Sequence, residues 1–221
     1  MKQRNILIAG AGSAGTMMAN HLKRKLNHHE WKITIVDEAT THYYQPGFLF
    51  LPFGIYDEHE IQKPITKYIP DDVDFINTAI DKIEPERNVL TLINGAELPY
   101  DILIIASGCS IAPEETPGMK DKLWYKDIFD FYSFDGAKAL HDKLKNWEGG
   151  RLAIHITEMP IKCPVAPLEF AFLADDFFKH KGMRDEVEIT YITPLSGAFT
   201  KPFDAKKLAH LIEEKDIKLV T

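Results

Sequence analysis

The stretch from Asn5 to Glu38 constrains this chain more than any other. An apolar run, Ile6 to Ala9, has the length and composition of a buried strand. Gly10, Gly12 and Gly15 follow it at the G-x-G-x-x-G spacing. Gly10 suits a tight turn, Gly12 lets a ligand approach bare backbone, and Gly15 lets a helix pack close to the strand. The spacing predicts a helix over residues 16–26, with Met17, Ala19, Leu22 and Leu26 on its apolar face. Its N-terminus, with Ser13 and Ala14 in the turn, offers unpaired N–H groups and a partial positive charge to a phosphate. A second strand, Ile33 to Val36, ends in Asp37, followed by Glu38. That acid lies about 20 residues past the glycines, where a ribose hydroxyl is expected. Strand, glycines, helix, strand and acid in this order predict a dinucleotide site. The acid disfavours a 2′-phosphate and therefore NADP.

Composition narrows the class. The chain has 221 residues, 45% hydrophobic and 27% charged, ordinary for a soluble globular protein of one large or two small domains. Its net charge of −7 does not suggest a polyanion partner such as nucleic acid. Cys109 and Cys163 provide no disulfide framework. No metal site is expected. The opening Met1-Lys-Gln-Arg leads straight into the first strand, so no signal peptide is expected. No apolar run approaches the roughly 18–20 residues of a membrane span, so a cytoplasmic chain is expected.

Beyond Glu38 the pattern stays α/β. Seven apolar or aromatic side chains lie between Phe48 and Tyr56 in a segment punctuated by Pro and Gly. They predict either local core packing or one wall of a pocket. Val73–Ile76, Ala79–Ile83 and Val89–Leu92 are predicted strands, with a hairpin turn at Asn94-Gly95. Ile102 to Ala106 is a continuous apolar run and predicts a buried parallel strand that ends in Ser107-Gly108. Residues 111–118 are a connector. Phe134–Trp147 is a predicted helix with Ala137, Leu140 and Leu144 on one side, stopped by Glu148-Gly-Gly150.

A second strand–loop–helix–strand unit starts at Leu152–Ile156, with its helix near Pro167–His180 and its next strand at Val187–Ile192. A further helix over Ala205–Lys215 leads to a strand at Ile217. The chain stops inside that strand, leaving an unfinished sheet edge. A fragment is expected, or else a short protein whose missing strand comes from another chain. The second unit lacks the glycines. Its loop reads Thr157-Glu-Met-Pro-Ile-Lys-Cys163-Pro-Val-Ala-Pro167. Prolines and bulky side chains stand where a pyrophosphate needs bare backbone, which disfavours a nicotinamide cofactor there. Cys163 follows Lys162 and precedes a helix start, and both neighbours favour a nucleophilic thiolate. An inert buried cysteine is the alternative. Cys109 has no adjacent cation and reads as inert.

Tyr100-Asp101-x-Leu-x-Ile-Ala106-Ser107-Gly108 resembles the second flavin-contact motif of the two-dinucleotide-domain disulfide reductase superfamily, with Ser107 in place of Thr. His42-Tyr-Tyr-Gln-Pro-Gly47 and Lys162-Cys-Pro-Val-Ala-Pro167 narrow the resemblance to sulfide:quinone oxidoreductases. The resemblance implies FAD as cofactor. It implies contacts from Gly10, Gly12, Ser13, Gly15 and Asp37 to the diphosphate and adenosine ribose, and a backbone contact from Ala79 to adenine. Ala14, Glu38, Gln45, Ser107 and Gly108 complete the expected cofactor-binding set. Cys163 matches one of two redox cysteines near the isoalloxazine. Its partner, and the amphipathic helices that dock on a bilayer, belong to a C-terminal half beyond this chain. Cys109 is a poor substitute, since nothing places it within disulfide reach of Cys163.

The resemblance further implies sulfide and quinone as substrates and a peripheral place on the cytoplasmic membrane for the full-length form, and it leaves homo-oligomerisation open. The predicted fold is α/β, with tandem Rossmann-like domains: a FAD-binding domain at 1–120, and an incomplete, degenerate second domain at 121–221 carrying the redox cysteine. Two other functions fit the residues: a flavoprotein of the type II NADH dehydrogenase kind, which the missing second glycine motif disfavours, and a truncated, non-catalytic FAD-binding domain.

Overall fold

A computed structural model describes residues 3–221. In chain order its elements are β1 (Arg4–Ala9), α1 (Ser13–Lys25), β2 (Trp31–Asp37), β3 (Thr41–Tyr43), β4 (Gln62–Pro64), β5 (Asp74–Asn77), β6 (Ile80–Glu84), β7 (Val89–Leu92), β8 (Glu97–Pro99), β9 (Ile102–Ile105), α2 (Phe134–Asn146), β10 (Gly150–His155), α3 (Ala166–His180), β11 (Val187–Ile192), α4 (Pro202–Glu214) and β12 (Ile217–Val220). They gather into two units. Unit one runs through Gln45 and resumes over Asp57–Ile111, and unit two takes Pro46–Tyr56 and Ala112–Thr221. The division thus falls at Ile111, nine residues before the predicted one, and one loop is exchanged.

Unit one is built on a parallel sheet in the order β5-β2-β1-β9. Side chains alternate across a strand, so β1 presents Ile6 and Ile8 to one face and Leu7 and Ala9 to the other. The first pair packs with Ala19 of α1 and with Ile33 and Ile35. The second packs with Val36 and with Leu90 and Leu92 of the antiparallel β6-β7-β8 meander. Cover on both faces is why β1 reads as an unbroken apolar run. The meander closes at the expected turn, where Gly95 takes φ +83° and the Asn94 Oδ1 accepts the Ala96 N–H at 3.0 Å.

Two expectations fail here. β9 is parallel, but Ile102 and Ile105 are 44% and 67% exposed. It is the last strand in the sheet order and has a neighbour on one side only. Met17 is 71% exposed. The buried side of α1 holds Gly15 and Ala19 with Leu22 and Leu26 against them, a helical spacing whose small members let α1 lie close to the sheet.

Unit two has a three-stranded parallel sheet, β10-β11-β12. Its core gathers Ile189 and Tyr191 of β11 with Leu168, Ala171, Ala174 and Phe178 of α3 and Leu140 and Leu144 of α2. Leu49 and Phe53 join the same core, so the apolar Phe48–Tyr56 segment is core packing. The chain achieves this with short 3₁₀ turns over Gln45–Leu49 and Leu51–Phe53. Phe53 lies 4.8 Å from the Phe170 ring, which stacks on Phe131 at 4.6 Å.

Asp175 is buried in α3 and receives Lys179 Nζ, Lys215 Nζ and Arg184 Nε, each at 2.9 Å. Burial alone pushes its carboxyl up, but the three cationic donors outweigh this and hold it below its ordinary value. Arg184 also donates to the carbonyls of Val187, Lys215 and Asp216, which ties β11 to the end of α4.

Candidate functional site

The glycine turn of unit one is folded by its own backbone. Gly10 takes φ +106°, and a Cβ there would strike the Ala106 carbonyl. A Cβ on Gly15 would strike the Gly10 carbonyl. Gly12 differs. A Cβ there meets nothing within 4 Å, and its φ of −67° suits any residue. No packing reason keeps position 12 bare. Among the described residues, the N–H groups of Gly12, Ser13, Ala14 and Gly15 donate to no protein acceptor. Open space over Gly12 and free donors at the start of α1 are what an anionic diphosphate requires.

Asp37 ends β2, and its carboxylate is already engaged. Oδ2 accepts the Ala11 N–H at 2.6 Å and Oδ1 accepts the Ala39 N–H at 2.8 Å. The acid therefore cross-links the glycine turn to the segment after β2 while keeping further lone pairs for a ligand hydroxyl. Glu38 is exposed beside it. Ala79 lies just before β6 rather than within it. Its carbonyl accepts from Ile93 at 3.1 Å, and among the described residues its N–H has no acceptor. Ser107 and Gly108 follow β9, and the Ala106–Ser107 peptide lies against Gly10. Gly108 takes φ +73° with open space around it. Gln45 is exposed at the last position of the first segment of unit one. Gly10 to Gly15, Asp37, Glu38, Ser107 and Gly108 thus lie at the carboxyl ends of parallel strands, where open α/β sheets bind ligands.

The motif acid Asp101 has a structural duty. Its Oδ2 accepts the Asn5 N–H at 2.7 Å while its own N–H donates to the Asn5 carbonyl at 2.9 Å, setting the register of β9 on β1.

In unit two the loop after β10 carries Cys163, which is exposed and not buried. It takes a left-handed φ of +48°, uncommon for a residue with a Cβ. Its carbonyl accepts the Ala166 N–H at 3.0 Å and the Tyr132 hydroxyl at 3.3 Å. α3 begins three residues later, with Pro167 in its first turn. Burial, and then the neighbouring Cys163 sulfur, push the Tyr132 hydroxyl well above its ordinary range. Asp130 Oδ1 accepts the Tyr132 N–H at 2.9 Å and so fixes its backbone. Cys109 is exposed in unit one, after Gly108.

Two residues with evident roles carry no motif. Asn77, the last residue of β5, donates its side-chain amide to the carbonyls of Asp37, Glu38 and Ala39 at 2.9, 3.1 and 3.0 Å. Tyr132 precedes α2 and meets Cys163 across 31 positions of sequence. Among the described residues, no cluster of His, Cys, Asp or Glu could hold a metal, and no helix is long and apolar enough to cross a membrane.

A parallel strand, a bare glycine turn, a helix and a strand-end acid define the class: α/β proteins of the Rossmann-type, dinucleotide-binding kind. Within that class, residues 4–154 match the family model of the pyridine nucleotide-disulphide oxidoreductases, and the chain belongs to that family. The mitochondrial sulfide:quinone oxidoreductase of Dictyostelium discoideum is 26% identical over 210 residues, 95% of this chain and 45% of that protein. The type II NADH:quinone oxidoreductase of Staphylococcus haemolyticus is 29% identical over 154 residues, 67% of this chain and 37% of that protein. The solved sulfide:quinone oxidoreductase of Aquifex aeolicus superposes with a TM-score of 0.80 at 23% identity, over 98% of this chain and 50% of that one, and supports the fold. The chain spans about half the length of the sulfide:quinone oxidoreductases it matches.

Proposed function

We propose that this chain is the FAD-binding part of an oxidoreductase that oxidises sulfide and passes the electrons to a quinone. The observation that carries this is the contrast within one chain between a bare glycine turn and an exposed Cys163 in the equivalent turn of unit two. Four sulfide:quinone oxidoreductases or reductases among the relatives support it.

Unit one forms the cofactor domain in this reading, and unit two the domain carrying the redox cysteine. The N–H groups of Gly12, Ser13, Ala14 and Gly15 donate to the diphosphate. Asp37 and Glu38 accept from the ribose hydroxyls, the Ala79 N–H serves adenine, and Gln45, Ser107 and Gly108 complete the pocket. Bound FAD supplies a two-electron acceptor that the quinone reoxidises. Cys163 would be one half of a disulfide with a second cysteine of the full-length protein. Sulfide attacks that disulfide, its S–S bond breaks as a persulfide forms on one cysteine, and the thiolate released on the other would give its two electrons to the flavin. A quinone acceptor implies peripheral contact with a membrane.

Sulfide should bleach the visible flavin absorbance of the FAD-loaded protein without oxygen, and Cys163→Ser should abolish the bleaching. Bleaching by sulfide that survives Cys163→Ser removes the cysteine from the proposal. The Staphylococcus relative motivates a second reading, in which electrons come from NADH. Rapid bleaching by NADH and none by sulfide would select it.

A further inference from the structure

We propose that Asn77 is a positioning residue for the ADP half of the cofactor, acting through Asp37. This rests on the FAD reading above. One primary amide reaches three successive carbonyls, those of Asp37, Glu38 and Ala39. It has two hydrogens for them, so at least one is shared. Three acceptors in a row fix the backbone of that segment more tightly than one would.

The segment is the one that matters for the ribose. Asp37 pairs with Asn77 across the β2–β5 ladder. From there its carboxylate reaches over to Ala11 of the glycine turn and forward to Ala39. Asn77 thus holds the backbone and Asp37 joins that backbone to the diphosphate turn. Two residues beyond Asn77 stands Ala79, the expected adenine contact. Asn77 and its three acceptors lie in exposed surroundings, so water can satisfy the carbonyls when the amide is lost. The fold therefore has little need of Asn77, and the ordering of the ligand site has much.

The test is calorimetric titration of the wild type and Asn77→Ala with FAD and, separately, with ADP, beside thermal melts without ligand. Asn77→Ala should weaken both ligands by the same factor, about fivefold to tenfold, the scale of one lost hydrogen bond. The ligand-free melting temperature should stay within about 2 °C of the wild type, as expected for an exposed substitution. Asn77→Asp keeps the shape but turns donors into acceptors facing three carbonyls, and should weaken both ligands at least as much. In an Asp37→Ala background the Asn77→Ala effect should shrink below about twofold, because the two act in series.

Unchanged binding in both variants overturns the inference and leaves the FAD reading standing. Weakened FAD with unchanged ADP also overturns it, since the effect would then lie outside the ADP half. An undiminished effect in the Asp37→Ala background overturns the route through Asp37. A wild type that binds neither ligand sinks the inference together with the FAD reading.

Discussion

Two turns hold the same place in the two units, each after the first strand of a parallel βαβ, and they solve opposite problems. The turn of unit one is stripped of side chains. The turn of unit two is crowded with them, and it holds Cys163 at a φ that glycine would adopt more easily. In unit one the bareness has two causes that can be separated. Gly10 and Gly15 are required by the protein itself, because a Cβ would collide with backbone. Gly12 is required by nothing in the protein. A glycine motif therefore mixes fold constraints with ligand constraints, and only the second kind speaks to function.

The largest effect separates them. Gly15→Ala drives a methyl group into the Gly10 carbonyl, a contact no side-chain rotation can relieve. It should cost at least about 4 kcal/mol, or abolish folding, measured by urea denaturation. Loss of less than about 1 kcal/mol would mean that the turn is softer than its geometry states.

Next comes a probe of unit two away from its turn. Asp175 is a buried carboxylate with three cationic donors, whereas pairs of unit one such as Lys23–Asp72 and Lys32–Asp74 are open to water and its screening. Asp175→Asn should destabilise by about 3–5 kcal/mol, the usual result of removing one side of a buried charge network. The pH dependence has a definite sign. The carboxyl of Asp175 is held below its ordinary value, so the unfolded chain binds the proton more readily. Its contribution is complete above the ordinary aspartate value of about 3.9 and is lost as pH falls below it. The variant should therefore show a flatter acid limb in melts below about pH 4. An unchanged acid limb refutes the assignment.

How much of this was legible beforehand follows one rule. Local pattern tells which side chains seek cover, and it located β7 and β11 to the residue. The glycine spacing located the bare turn before α1, because the backbone clashes that keep Gly10 and Gly15 without side chains are short-range demands. What covers a side chain is a long-range matter. The apolar run Ile102–Ile105 looked buried, yet it forms a sheet edge. The Phe48–Tyr56 segment promised packing without saying that its core is that of unit two. Asn77 and Tyr132 were invisible, since an amide at a strand end or a tyrosine before a helix acquires meaning only from partners 31 to 40 positions away.

Gly12→Ala tests the ligand half of the comparison. With no neighbour within 4 Å and an ordinary φ, the added methyl should leave stability within about 0.5 kcal/mol. It should reduce FAD affinity at least about tenfold by standing where the diphosphate must approach, read by quenching of flavin fluorescence. Unchanged affinity would leave Gly12 without any reason on the protein or ligand side.

The smallest effect concerns the other turn. A non-glycine residue in the left-handed region costs about 1–2 kcal/mol relative to right-handed backbone. Cys163 bears that cost while the Tyr132 hydroxyl and the Ala166 N–H hold its carbonyl. Cys163→Gly relieves the strain in the fold but adds freedom to the unfolded chain, and these partly cancel. The net should be a gain of up to about 1 kcal/mol in denaturation, together with complete loss of sulfide-driven flavin bleaching. Cys163→Ser keeps the strain and should lose the bleaching without the gain. If glycine destabilises instead, the thiol contributes packing that outweighs the strain, and the two turns differ in sequence for structural reasons alone.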